Sequence, residues 1–500
     1  MMILIMLRLE KRVIGYVVKG KRVNNRVWSQ YSQAIFAHYT ESDTNLIVQA
    51  CPGAGKTTNI EHLWGLDDNP TLYVVFEKHN QIAAKARLKE KEHSAVLTLN
   101  ALGNSIVLDT FGRVKLDKYK VPNIIKEMAK FKRHKSSALR EQQYTLAKMV
   151  SIAKCFDTGT GFTAELYDTA LHTYDDIEEY PELYGDTLSV LEKSDAQTNI
   201  IDFQDQLRFP VIYDCAMPQY HTVLGDEVQD FNAVQAALIE RLKAERYSLV
   251  GDSHQSIYGF RGAMNNSMSH LKEQFHCDEL PLSITYRCSK AVVKEAYAVY
   301  KDIEAWGEST EGNVRCSSYD KEQYTAQDII LCRMNRPLVA LAYALLKEGI
   351  ACHVKGRGIG EGLVKLIRKQ GCPTVKRLMT VLTQAYAVEY ESARLKDDDD
   401  TMQRIVDKYE SALLFCEKAS LESDPEEVCA IIDAVFTQGK GITLSTVHKA
   451  KGLEAERAFI LEHTLHESFR QRARQQWQKE QEKNILYVGI TRAKRELVYM

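Results

Sequence analysis

The stretch Ala50-Cys51-Pro52-Gly53-Ala54-Gly55-Lys56-Thr57 constrains the fold more than any other part of this 500-residue chain. An apolar run at residues 46–48 precedes it, and a segment that reads as a helix follows from Thr58. A strand, a glycine-bearing loop and a helix in that order make a P-loop. Gly53 and Gly55 let backbone N–H groups turn toward phosphate oxygens, where a Cβ would obstruct them. The helix N-terminus adds a positive partial charge. Lys56 is expected to reach the β- and γ-phosphates of ATP, and Thr57 to bind Mg2+. Ala50 stands where the usual pattern has its first glycine; Ala54 and Thr58 complete the expected phosphate cradle.

A second element completes a nucleoside triphosphatase. Val223-Leu224-Gly225-Asp226-Glu227-Val228-Gln229-Asp230 reads as an apolar strand ending in acids. Asp226 is expected to hold Mg2+ beside Thr57, and Glu227 to orient and deprotonate the attacking water. Around these two sites, short apolar runs at 46–48, 72–76, 222–225 and 248–250 alternate with longer helical stretches. That alternation argues for α/β architecture with parallel sheets. Residues 100–198 and 362–436 lack such runs and read as mostly helical, with the four acids at 397–400 read as a solvated loop. A chain of this length holds roughly two to four domains.

Bulk charge gives no support for nucleic-acid binding: 65 Lys plus Arg stand against 67 Asp plus Glu, a formal charge of −2. Any DNA path must therefore come from local patches. One candidate is Lys126, Lys130, Lys132, Arg133, Lys135 and Arg140, read either as a solvated helix face or as a contact to duplex or displaced strand. The eleven cysteines form no C-x2-C pair, which argues against zinc ribbons and fits a reducing cytosol. The apolar start, residues 1–9, is too short to span a bilayer and lacks the flanks of a signal peptide. A cytoplasmic chain with access to DNA and no membrane partner is expected; residues 1–25 receive no functional reading.

The remaining motifs carry a family resemblance. Gly251-Asp252-Ser253-His254-Gln255-Ser256-Ile257-Tyr258-Gly259-Phe260-Arg261-Gly262-Ala263 resembles motif III of superfamily 1 helicases of the UvrD, Rep and PcrA type. Asp226-Glu227-Val228-Gln229-Asp230 resembles their motif II, and Leu282-Ser283-Ile284-Thr285-Tyr286-Arg287 their motif IV. Thr446-Val447-His448-Lys449-Ala450-Lys451-Gly452-Leu453-Glu454 resembles motif V, and Tyr487-Val488-Gly489-Ile490-Thr491-Arg492-Ala493-Lys494 motif VI. Upstream, Trp28 to Phe36 resembles the Q motif, with Gln33 better spaced than Gln30. These motifs stand in the family's order from about residue 28 to the end.

The resemblance implies roles. Gln255 becomes the γ-phosphate sensor, and Arg287 and Arg492 the arginines that reach the γ-phosphate from the second lobe. Tyr286 would stack on adenine, Gln33 would pair with its N6 and N7 edge, and Glu454 would lie near the sugar or phosphate. Single-stranded DNA would cross both lobes, stacking on Tyr258 and Phe260 and touching Phe76, Lys78, Thr98, Arg261 and His448. Phe260 replaces a common Trp, Glu77 replaces Asn or Thr in motif Ia, and Thr98-Leu99-Asn100 departs from Thr-Phe-His.

Two RecA-like lobes are implied: 26–98 with 201–280, and 281–361 with 437–500. Helical insertions would occupy 99–200 and 362–436, the second much smaller than in UvrD or Rep. Ile201-Asp202-Phe203-Gln204-Asp205-Gln206-Leu207 resembles the family's return into the first lobe. No partner-binding tail is expected after motif VI. The implied activity is ATP-driven translocation on single-stranded DNA and unwinding of tailed or forked duplexes, 3′ to 5′, possible replication or repair proteins being partners. Rival readings are a protein-displacing translocase, the motor subunit of a nuclease complex, and a non-hydrolysing DNA-binding scaffold. Lys56, Glu227 and Arg492 argue against the last.

Overall fold

The computed structural model describes residues 28–500 except 129, 132–136, 174–176, 178, 258–266, 319–321, 396–398, 438–440, 463–464 and 474. The extension 1–25 and the expected DNA contacts Tyr258, Phe260 and Arg261 lie outside the described residues.

Chain order gives β1 (Leu46–Ala50), β2 (Thr71–Val75), β3 (Ala95–Thr98), the short β4 (Lys115–Leu116) and β5 (Ile200–Ile201), then β6 (Thr222–Gly225), β7 (Arg246–Gly251) and β8 (Asp278–Leu282). Six of these form one sheet, ordered β3-β2-β6-β7-β1-β8 and parallel throughout. β9 (Ile284–Thr285) and β10 (Glu304–Ala305) pair with each other. They lead to β11 (Asn313–Cys316), β12 (Ile329–Cys332), β13 (Cys352–Val354), β14 (Ile442–Thr446), β15 (Ala455–Ile460) and β16 (Ala493–Tyr499). These last six form a second parallel sheet, ordered β11-β16-β15-β12-β14-β13. Both sheets are covered by helices, so central strands such as β2, β6 and β12 are buried along their whole length. Burial on both faces is why those strands read as unbroken apolar runs rather than alternating ones.

Helices Leu99–Phe111, Lys120–Glu127, Ser137–Phe156, Ala164–Thr173 and Leu183–Asp195 stand between β3 and β6. Four of them share a core of their own, including Ile124, Ile125, Leu146, Met149, Leu183 and Val190. A buried ionic knot ties this unit back to the sheet. Lys154 Nζ lies 2.7 Å from Asp202 and 2.6 Å from Asp205, and Lys120 lies 2.8 Å from Asp205. Arg208 meets Asp157 and Asp195 at 2.5 Å each. Asn100 donates to the carbonyl of Phe203 at 2.8 Å and to Gln206 Oε1 at 3.0 Å. The family-like return segment is thus the place where the insertion is pinned.

The second helical group, Arg357–Gln370, Val375–Leu395, Asp399–Cys416 and Pro425–Thr437, differs. Its Leu378, Leu382, Phe415 and Ile432 belong to the same buried cluster as Ile330, Leu444 and Phe459 of the second sheet. Of the acidic run read as a solvated loop, 397 and 398 lie outside the described residues. Asp399 and Asp400 stand in the helix Asp399–Cys416, so for these two the loop reading is corrected. Ile405, Tyr409 and Ala412 recur at helical spacing and are buried, which supports that helix.

The basic cluster is also partly committed. Lys130 is ion-paired with Asp186 and sits 4.7 Å over the Tyr180 ring. Lys126 is exposed. Lys132, Arg133 and Lys135 lie outside the described residues, as does the side chain of Arg140. Among the described residues, no helix is long and apolar enough to cross a membrane.

Removing one partner from a fully buried ion network leaves an uncompensated charge, which costs about 3–5 kcal/mol. Lys154→Ala should therefore lower the urea midpoint of unfolding clearly, whereas Lys126→Ala should leave it within error.

Candidate functional site

The C-terminal ends of β1, β6 and β7 bring the first set of charged side chains together. The loop after β1 passes through Gly53 at φ 73° and Gly55 at φ 82°. A Cβ on Gly53 would sit 2.5 Å from that of Arg287, so this loop needs glycine for room as well as for conformation. Gly55 caps the helix Lys56–Trp64 without a side-chain hydrogen bond. The first N–H groups of that helix therefore remain available to an anion. Ala50 and Ala54 are buried beneath the loop, and Thr58 is half-buried on the helix.

Lys56 Nζ lies 3.0 Å from both carboxylate oxygens of Glu227. Thr57 donates to Asp226 Oδ2 at 3.1 Å, and Tyr73 approaches the same oxygen at 3.3 Å. Glu227 adopts a left-handed backbone, φ 54° and ψ 38°. For a residue with a Cβ that conformation is strained, and such strain clusters at functional sites. Burial, and then the neighbouring Glu227 carboxylate, push Asp226 up to about 6. Burial alone would raise Glu227 too, but the Lys56 and Lys451 ammonium groups and a hydrogen bond from Gln229 hold it at about 2. Thr57 and Asp226 supply two hard oxygen donors. Among the described residues no group of three or more His, Cys, Asp or Glu could hold a metal. One carboxylate and one hydroxyl suit Mg2+, which usually keeps several waters and takes further oxygens from a bound phosphate.

The second sheet presents cations toward this loop. The N–H of Tyr286 donates to the carbonyl of Gly53 at 3.0 Å. Arg287 Nη1 donates to Thr491 O at 3.3 Å. Its Nε lies 2.6 Å from Glu454 Oε2, a charge contact without an aligned hydrogen bond. Glu454 also meets Lys494 at 2.8 Å. Arg492 is 1% exposed. It donates to Val488 O at 3.0 Å, Leu453 O at 3.0 Å and Gln255 Oε1 at 3.2 Å. Among the described residues no carboxylate lies within ion-pair distance of it. Burial, then the neighbouring Arg287, push its pKa down to about 9. A buried guanidinium beside another, with neutral partners, is an anion site by its physics.

Gln255 joins the two halves. Its amide donates to Asp252 Oδ2 at 2.6 Å while its oxygen accepts from Arg492. Gln229 and Lys451 were quoted within motifs II and V but given no role on sequence grounds. Gln229 donates to Glu227 at 2.5 Å and accepts from the N–H of Asp252 at 3.0 Å. Lys451 reaches from the second sheet to Asp230 at 2.5 Å and to the carbonyl of Gln255 at 2.9 Å. Asp252, which Gln229 accepts from, and the partners of Lys451 come from remote sequence, so spacing gives no signal of these contacts beyond motif membership.

Tyr286 is 41% exposed, its ring 5.7 Å from that of Trp306. Gln33 is exposed and donates to the carbonyl of Trp28 at 3.0 Å, and Trp28 packs on Phe36 and His62. No hydrogen bond of Gln33 reaches the P-loop. Phe76 follows β2 half-buried, and Lys78 opens the next helix, exposed. Thr98 ends β3 and caps the helix Leu99–Phe111 by accepting from the N–H of Ala101. Glu77 pairs with His79 at 2.9 Å. His448 is half-exposed in the turn after β14. Phe76, Thr98 and His448 lie at or just beyond the C-terminal ends of β2, β3 and β14, the side where open parallel sheets bind ligands.

Two parallel α/β sheets, a P-loop on one and a buried arginine on the other, define a two-lobed P-loop protein of the RecA-like kind. Residues 69–276 match the UvrD/REP helicase N-terminal domain, and residues 374–500 match the UvrD-like helicase C-terminal domain. The chain belongs to the UvrD-like helicase family. It is 32% identical over 131 residues to a probable DNA helicase II homolog of Mycoplasma pneumoniae, covering 23% of this chain and 18% of the relative. It is 28% identical over 216 residues to the ATP-dependent DNA helicase PcrA of Bacillus subtilis, covering 35% and 29%. The F-box DNA helicase protein 1 of Schizosaccharomyces pombe is 26% identical over 329 residues, covering 58% and 34%. The chain thus spans between about a fifth and a third of the length of these relatives.

The Asp226 carboxyl is raised from 3.8 to about 6, so the folded state holds its proton more tightly than the unfolded chain. Its ionisation therefore destabilises the fold increasingly as pH rises from about 4 through 6. Asp226→Asn should raise the melting temperature by about 2–4 °C at pH 7.5 in EDTA. That gain should vanish as pH falls toward 4, measured by thermal scanning at each pH.

Proposed function

We propose that this chain is an ATP-dependent DNA translocase and helicase. The observation that carries the proposal is the pair Arg287 and Arg492. They are held near the P-loop, and Arg492 is buried with neutral partners and bonded to Gln255 of the first sheet. A triphosphate cradled by Gly53, Ala54, Gly55, Lys56, Thr57 and Thr58 supplies the counter-charge that Arg492 lacks.

The chemistry follows from the residues. Lys56, now shared with Glu227, turns to the β- and γ-phosphates. Glu227 loses its closest cation, and burial then raises its proton affinity toward that of a working base. Water attacks the γ-phosphorus, its proton passes to Glu227, and the bond to the β–γ bridging oxygen breaks. Arg287 and Arg492 stabilise the charge that develops, a contribution worth about 10³–10⁵ in rate in related P-loop systems. Mg2+ bound by Thr57 and Asp226 would neutralise phosphate charge. Tyr286 stacks on the adenine, Gln33 reads its edge, Glu454 orients Arg287 near the sugar or phosphate, and Gln255 senses the γ-phosphate.

The lobes are read as 26–98 with 201–280 and 281–361 with 437–500, with insertions at 99–200 and 362–436. Single-stranded DNA lies over the strand ends, near Phe76, Lys78, Thr98 and His448, with Tyr258, Phe260 and Arg261 as further contacts. Closure on ATP and release after hydrolysis move the chain along one strand, 3′ to 5′, opening tailed or forked duplexes.

Strand displacement with ATP on 3′-tailed and 5′-tailed duplexes tests this reading; unwinding from the 5′ tail alone would overturn the polarity, and none on either would overturn the helicase. Lys56→Ala should abolish DNA-stimulated ATP hydrolysis and leave single-strand binding largely intact, measured by phosphate release and fluorescence anisotropy. Binding should weaken with salt at a log–log slope of about −0.7 per phosphate contacted.

A further inference from the structure

The turn Ser253–Gln255 after β7 is gripped from the second half of the chain by a set of side chains outside the phosphate loop. The His254 ring stacks on Tyr300, centroids 3.5 Å apart and 15° from parallel, and its Nε2 lies 2.9 Å from Asp302 Oδ2. The Tyr300 hydroxyl lies 2.6 Å from both Glu480 Oε1 and Asn484 Oδ1. Asn484, 5% exposed, donates to the carbonyl of Ser256 at 2.9 Å and reaches that of Ser253 at 3.4 Å. Two carbonyls on one side and a hydroxyl on the other fix which way the amide points. Lys483 Nζ lies 3.8 Å from the Tyr300 ring centroid.

Glu480, Lys483, Asn484 and Tyr487 recur at three- and four-residue spacing on the helix Gln476–Ile490, so they share one face. Arg492 follows the end of that helix and bonds Gln255 within the same turn. One helix therefore holds the turn twice: by its backbone through Asn484, and by its sensor side chain through Arg492. We propose that Asn484 and Tyr300 are positioning residues that set Arg492 against Gln255. They act on the turnover of ATP rather than on its binding, because the P-loop holds the phosphates independently of this face.

The proposal rests on the ATPase reading and is tested with the full chain. Asn484→Asp keeps the acceptor for Tyr300 but loses both donated bonds; Tyr300→Phe keeps the ring stack but loses the hydroxyl. DNA-stimulated kcat should fall about tenfold in Asn484→Asp, a size typical of coupling between sites. It should fall by less in Tyr300→Phe. Hydrolysis without DNA should fall as well, since it uses the same arginine, while the KM for ATP and the melting temperature should stay near those of the parent chain. Unchanged turnover in both variants overturns the assignment, and so does a loss of melting temperature in both. A parent chain showing no DNA-stimulated hydrolysis overturns the ATPase reading itself, and the positioning role with it.

Discussion

The structure turns on an imbalance of buried charge. On one sheet Lys56 is caught between carboxylates, with Glu227 at 3.0 Å. On the other, Arg492 has its guanidinium bonded to two carbonyls and one amide oxygen, with Arg287 beside it. Burying a cation without a counter-ion costs several kcal/mol. Part of that cost is offset at the C-terminus of the helix Gln476–Ile490, where the Val488 carbonyl and the negative end of the helix dipole meet Arg492. The remainder would be relieved by a multiply charged anion entering between the sheets, the place that the proposed function gives to a triphosphate.

An apolar cluster runs from one sheet to the other, and the polar contacts that join them converge on one turn. Gln255 bonds Asp252 and Arg492, Lys451 reaches Asp230 and the Gln255 carbonyl, and Asn484 holds the carbonyls of Ser253 and Ser256. A small change in the angle between the sheets cannot be absorbed at such a place without breaking a named hydrogen bond. The two helical insertions are built differently around it. The first has its own apolar core and is pinned by the ionic knot of Lys120, Lys154, Asp202 and Asp205. The second shares its core with the sheet that carries it. It is expected to move with that sheet as one body.

Much of the fold was legible because parallel strands buried on both faces must be written as apolar runs. The runs at 46–48, 72–76, 222–225 and 248–250 each fall on a strand of the first sheet, with ends that differ by at most two residues. Asp399 and Asp400 were misread as loop because aspartates by themselves carry no helical period; the buried stripe of Ile405, Tyr409 and Ala412 lies beyond them. Lys130 looked free because its partner Asp186 is remote in sequence. Of the site, the P-loop and the acidic strand end were readable since each is a contiguous string whose chemistry follows from its spacing. Gln229, Lys451 and Asn484 were not, because their work lies in partners that only packing brings to them: Asp252 from the neighbouring strand end for Gln229, and residues of the opposite sheet for Lys451 and Asn484.

The chain's own order of residues therefore determined the ingredients: a phosphate loop after an apolar strand, carboxylates at a second strand end, two arginines in family-like strings, and the αβ alternation that demands parallel sheets. Tertiary structure alone decided which of them meet. It placed Lys56 on Glu227, brought Tyr286 to the carbonyl of Gly53, and set Arg492 on Gln255 across 237 positions of sequence. Local spacing encodes local geometry, but charge balance and burial depend on distance in space. Only the packed molecule shows that Arg492 is buried without a carboxylate and that the turn bearing Gln255 is held by the helix that ends beside it.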